Sequence, residues 1–180
     1  ERVSWLQLSL SENIGPVTFR ELMSRFSSAK MALDALPELA ARGGRRGAIK
    51  LYARGKAEDH IVKGLAHGAS LVAAGEVGYP PYLRHIHAAP PLLWIKGNAE
   101  LANLDAVAIV GARNASVMGM KFARMVAAKL ADHGLLVVSG LARGIDTAVH
   151  QATIKTATAA VVAGGLDYFV YHAWRNDGSG

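Results

Sequence analysis

The run VAIVGARNAS at Val107–Ser116, an apolar strand that empties into a glycine loop before a helix, limits the possible folds more than any other stretch. A strand that is apolar throughout belongs in a sheet buried on both faces, which means parallel strands joined by helices. The pattern recurs along the chain. Ala106–Val110 precedes a helix over about Val117–His133, and Leu135–Val138 precedes the loop Gly140–Gly144 and a helix to about Lys155. Ala159–Ala163 then ends in Gly164 and Gly165. Right-handed crossovers bring all three strand-to-helix loops to one edge of such a sheet.

Upstream, the spacing of apolar residues predicts helices. Val3–Leu10 is the first, and a Gly15-Pro16 turn follows, with Thr18 as N-cap for Phe19–Phe26. Ser27 or Ser28 caps Ala29–Leu36, and Pro37 opens a further short piece to Ala41. The glycine loop Gly43–Gly47 precedes a helix over Ala57–Ala66, closed by His67 and Gly68. Ala69–Ala74 and Leu92–Asn98 read as short strands on either side of paired prolines, Pro80-Pro81 and Pro90-Pro91. The expected organisation is a helical domain over 1–68, a proline-rich connector over 69–104, and a parallel α/β domain over 105–180.

The formal charge of +6 over 180 residues favours an anionic partner, nucleic acid being the commonest. The absence of cysteine excludes disulfides and thiolate chemistry and fits a reducing cytoplasm. No run reaches the roughly 18 apolar residues of a membrane span. The start has no signal-peptide pattern and no initiator methionine, so a trimmed N-terminus is expected.

The loops offer groups that bind phosphate. Gly111, Arg113, Asn114 and Ser116 supply backbone amides, a bidentate guanidinium, a side-chain amide and a capping hydroxyl. The segment SGLARGID, with Ser139, Gly140, Arg143 and Gly144, repeats the design one strand later, and Asp146 reads as a helix cap rather than a general base. Gly164 and Gly165 allow close backbone approach in the third loop, where Asp167 organises an arginine or closes a turn. The loops lack the third glycine of a dinucleotide fingerprint and the Lys-Ser/Thr of a P-loop, so no cofactor is expected. Glutamate is absent after Glu100, and His150, flanked by Ala148 and Val149, reads as a packing residue. His85 and His87 have no acidic or cysteine neighbours to complete a metal site. Auxiliary nucleic-acid contacts are sought at Gly15, in a hairpin that serves equally as a bundle turn, and at Arg45 and Arg46, with Arg42, in a loop that is otherwise solvated.

In order and spacing, YPPYL at Tyr79–Leu83, PPLLWIKG at Pro90–Gly97, VAIVGARNAS, VVSGLARGIDTAVHQ at Val137–Gln151 and AVVAGGLD at Ala160–Asp167 resemble the DNA-processing protein A family, DprA or Smf. The resemblance covers roughly Ser4 to Asp167. It implies an extended Rossmann-like domain preceded by a small SAM-like or helix-hairpin-helix-like domain. It also implies a non-enzymatic, cytoplasmic, dimeric protein that binds single-stranded DNA and loads it onto the RecA recombinase during natural transformation. Carried over, the family's loop arginine falls on Arg113, with Gly111 and Ser116 framing the DNA-phosphate pocket. Its second loop falls on Ser139, Gly140 and Arg143–Asp146, and its third on Gly164 and Gly165. After Asp167 the likeness fades, and the chain is expected to be a piece of a longer protein whose remainder holds the dimer surface. The alternative is a nucleotide hydrolase of the phosphoribohydrolase type, whose PGGxGT-x-x-E motif is absent.

Overall fold

The computed structural model describes residues 1–42 and 49–163. The chain divides into two compact units, Glu1–Lys96 and the residues from Gly97 onward.

In the first unit, helices α1 (Arg2–Ser9), α2 (Pro16–Arg25) and α3 (Ala29–Arg42) enclose a core of Leu8, Ile14, Phe19, Leu22, Leu33 and Leu36. Trp5 meets Phe19 edge to face, with ring centroids 5.3 Å apart. Two expectations need correction. α2 starts at Pro16, with Gly15 as N-cap, so Thr18 lies inside the helix rather than capping it. A proline at the first helical position loses no hydrogen bond, because that amide has no partner in any helix. Pro37 lies inside α3 instead of opening a new segment. The interior proline costs about 3 kcal/mol, which the burial of Leu33 and Leu36 in the turn just before it offsets. The Ser28 hydroxyl does cap α3, accepting from the Met31 amide at 3.2 Å.

Helix α4 (Arg54–Ala66) is followed at once by strand β1 (Ala69–Ala73), with Gly68 at φ +70° supplying the left-handed turn between them. β1 pairs antiparallel with β2 (Leu92–Lys96), Leu71 opposite Trp94. The stretch read as a connector is therefore partly a hairpin in its own right. Leu71, Leu92 and Trp94 pack with Leu6 of α1 and with Ala57 and Ile61 of α4. Between the strands Tyr79 is fully buried and its hydroxyl donates to the Pro90 carbonyl at 2.8 Å, which ties the two proline pairs together. Arg2 adds a tie from α1, donating to the Leu71 carbonyl and pairing with Glu76 at 2.8 Å.

The second unit opens with a 3-10 turn, Ala99–Asn103, capped by the Asn98 side chain. Strands β3 (Ala106–Ala108), β4 (Leu136–Ser139) and β5 (Thr158–Ala160) form a parallel sheet in the order β3-β4-β5, with Val107 opposite Val137 and Val137 opposite Thr158. Helices α5 (Val117–Asp132) and α6 (Ile145–Thr153) form the crossovers. Ala123, Ala127 and Ala131 give α5 a smooth stripe that closes on Val137 and Val149. The expected sandwich with both faces covered is not met among the described residues. Strands laid down in sequential order by crossovers of one hand place both helices on one side. α5 and α6 accordingly pack on each other and both on β4. Ala106, Ala108, Val110 and Val161 are exposed.

Candidate nucleic-acid interface

The loops that follow β3 and β4 lie at the carboxyl ends of adjacent parallel strands and are stapled together. Gly111 lies against the first residue of α6, where an added Cβ would stand 2.6 Å from Ile145 Cγ1. Gly144 (φ +87°, ψ −123°) faces the other way, and a Cβ there would stand 2.3 Å from the Ala112 carbonyl oxygen and 2.7 Å from that of Arg113. The Ile145 amide donates to the Ala112 carbonyl at 3.3 Å, and the Ser139 hydroxyl to the Ile109 carbonyl at 2.7 Å. Arg113 and Arg143 thus come from loops in direct backbone contact, and both side chains are exposed, as is Asn114. The Ser116 hydroxyl caps α5 as expected, accepting from the Gly119 amide at 3.1 Å.

Asp146 departs from the expected role. Gly144 is the N-cap of α6, without a side-chain cap, and Asp146 stands in the first helical turn. Its carboxylate turns back under the loop, and Oδ2 accepts from the amides of Gly140 at 3.2 Å and Ala142 at 3.3 Å. The physical reason is geometric. Leu141 adopts φ +58°, which curls the loop so that these two amides face the helix start. The carboxylate is only 5% exposed, and Oδ1 has no partner among the described residues. A side chain at Gly140 would stand 2.9 Å from Oδ2. Ser139 and Gly140 therefore hold the loop by their hydroxyl and amide, while Gly111, Arg113, Asn114, Ser116 and Arg143 line its outer surface.

One turn further along α6, His150 is buried, with Nδ1 2.8 Å from Thr158 Oγ1. That hydroxyl gives its one proton to the Val137 carbonyl at 3.1 Å, so Nδ1 carries the imidazole proton and donates. Burial holds the His150 pKa below its ordinary value of 6.5, partly opposed by the Asp146 charge. The unfolded chain therefore takes up this proton more readily than the folded one. The contribution to stability is complete above about pH 6.5 and falls as the pH drops from there through the lowered folded value. Denaturant unfolding at pH 7.5 and 5.5 should show a smaller loss on acidification in His150→Asn than in the parent; equal losses would exclude this origin.

Sequence reasoning did not find the tether from Asp146 or the Thr158 partner of His150. The only available signal for the tether was the short step from Gly140 to an acidic residue. Gly15 caps α2 in the first unit with open space around it. Arg42 ends α3 and pairs with Glu38 at 2.6 Å rather than joining the following loop. Arg45, Arg46, Gly164, Gly165 and Asp167 lie outside the described residues. Among the described residues no cluster of metal-binding side chains occurs, and no helix is long and apolar enough to cross a membrane.

A parallel sheet with glycine loops stapled at the carboxyl ends of its strands defines a Rossmann-like α/β protein. A family model described as DNA recombination-mediator protein A matches residues 70–175, and one described as DprA-like N-terminal HHH domain matches residues 1–61. The chain belongs to the DNA recombination-mediator protein A family. The DNA processing protein DprA of Streptococcus pneumoniae is 45% identical over 93 residues, covering 51% of this chain and 33% of the relative. Protein Smf of Synechocystis is 28% identical over 185 residues, covering 93% and 45%. The X-ray structure of the pneumococcal protein matches with a TM-score of 0.54 at 28% identity, over 90% of this chain and 62% of that one. The chain thus spans between a third and a half of the length of these curated relatives.

Proposed function

We propose that this chain binds single-stranded DNA, with the phosphate backbone lying across the stapled loops, Arg113 as the principal anchor and Arg143 as the second. The observation that carries the reading is the division of labour at the edge. The arginines and Asn114 face out, while Asp146, the one carboxylate of these two loops among the described residues, is turned inward and occupied by loop amides. Asp105, just before β3, and Asp132, at the end of α5, lie at the opposite end of the sheet. The edge therefore keeps a positive field for an anion. A repeating backbone suits two arginines on adjacent loops better than a single small phosphate does.

The reading is non-enzymatic. Asp146 and His150, the acid-base groups nearest the described loops, are buried and engaged in structure, whereas hydrolysis needs a group that reaches substrate. For the whole protein we infer a cytoplasmic dimer that delivers single-stranded DNA to the RecA recombinase during natural transformation. The family membership supports this, and co-sedimentation of the full-length protein with recombinase and DNA tests it.

Fluorescence anisotropy with an oligonucleotide over a salt series tests the edge. Single strands should bind more tightly than duplex. Arg113→Ala should bind more weakly and lose about 0.7 from the slope of log affinity against log salt, the value for one phosphate contact on a single strand. Parental affinity and slope in that variant would refute the assignment.

A further inference from the structure

The first unit carries a second cationic surface, on α4. Ala57 is buried, and Ile61 and Gly64 lie on the same inward side, against Leu6, Leu71 and Trp94. Along the adjoining side run Lys56, His60, Lys63 and His67, at intervals of four, three and four residues, which places them on one helix face. All four are exposed, and they span about 16 Å at 1.5 Å per residue. A solvated helix face normally interleaves opposite charges one turn apart. The far side of α4 does so, with Arg54 paired to Glu58 at 2.9 Å. On the lysine face Asp59 stands three residues after Lys56 and four before Lys63, yet among the described residues neither lysine forms an ion pair.

The hairpin extends this face. Lys96 stands opposite Ala69, just beyond the end of α4, and shares its side of β2 with Trp94. The Trp94 ring lies against Gly64, so closely that a Cβ there would stand 2.2 Å from it. Tyr52 sits 6.1 Å from the His60 ring. Exposed lysines in line along a helix, with histidines between them, form a surface that can track a single-stranded phosphate backbone, while the Tyr52 and Trp94 rings pack into the core beneath it.

We infer that the Lys56–His67 face of α4, with Lys96, is a second contact for single-stranded DNA, separate from the Arg113 loops. The inference rests on the reading of the chain as a single-stranded DNA binder but not on where the loops bind it. The test uses the full chain and a thymidine oligonucleotide of about 30 nucleotides in anisotropy titrations over salt. Lys56→Gln/Lys63→Gln should lower the salt slope by about 1.4, two single-strand contacts at 0.7 each, and add to the loss in Arg113→Ala. Lys56→Arg/Lys63→Arg should keep the parental slope, and both double variants should melt like the parent because the side chains are exposed. If the glutamine pair matches the parent in affinity and slope while Arg113→Ala does not, the face is merely solvated or takes an acidic protein, and the inference fails. If the glutamine pair weakens binding and Arg113→Ala does not, this face stands and the loop assignment falls. Absence of binding to any oligonucleotide overturns both.

Discussion

Gly144→Ala is expected to destabilise the second unit by about 2–6 kcal/mol, combining backbone strain of about 1–3 with overpacking of similar size. At φ +87° and ψ −123° the backbone is in a region open essentially to glycine alone. The added methyl would meet two backbone carbonyl oxygens, at 2.3 Å and 2.7 Å. Backbone cannot rotate aside as a side chain can, so relief requires the Gly111–Ser116 loop to move away from α6. A loss of this size is a large part of the 5–15 kcal/mol that holds a typical domain folded. Urea unfolding should show a much lower midpoint. A variant within about 0.5 kcal/mol of the parent, the range of ordinary surface changes, would show that the two loops are not stapled as described.

Asp146→Ala is the second large effect. Removing the carboxylate leaves the Gly140 and Ala142 amides without an acceptor in a part-buried loop. At about 1–3 kcal/mol for each of the two orphaned groups, the expected loss is about 2–6 kcal/mol. Asp146→Asn should fall between, because its oxygen can still accept while its NH2 group takes the place of Oδ1, which has no partner. Hydrogen exchange separates this from general loosening: the Gly140 and Ala142 amides should lose protection in the alanine variant before the amides of α5 do. Unchanged protection of these two amides would show that the tether does not hold the loop.

Local patterns in the sequence carried the second unit well. The apolar strands and the Ser116 cap follow from rules that act within a few residues; the structure keeps the cap as read, shortens the first strand to Ala106–Ala108 and moves the third back to Thr158–Ala160. The first unit was less legible. Pro37 was read as a boundary because a proline's local cost is known, whereas the burial that outweighs it depends on α1 and α2. Both short strands of the connector are legible in the sequence, but their pairing as β1–β2 is not, because 18 residues separate them and the pair packs on α1 and α4 rather than closing on a turn motif. Leu141 carries no signal for the left-handed conformation it adopts.

By itself, the sequence determined which residues could face a phosphate, because glycine, arginine and capping serine in strand-loop-helix order express short-range sterics and charge. Only the tertiary structure decided which of them stand exposed at the loop edge. The contact between the two loops turns Ser139 and Gly140 inward, directs the Asp146 carboxylate under the loop, and leaves Arg113 and Arg143 exposed on adjoining loops. Those outcomes depend on how backbone groups from different loops find partners once buried. No local pattern encodes that choice, because an unsatisfied buried amide has a cost only after the chain has folded around it.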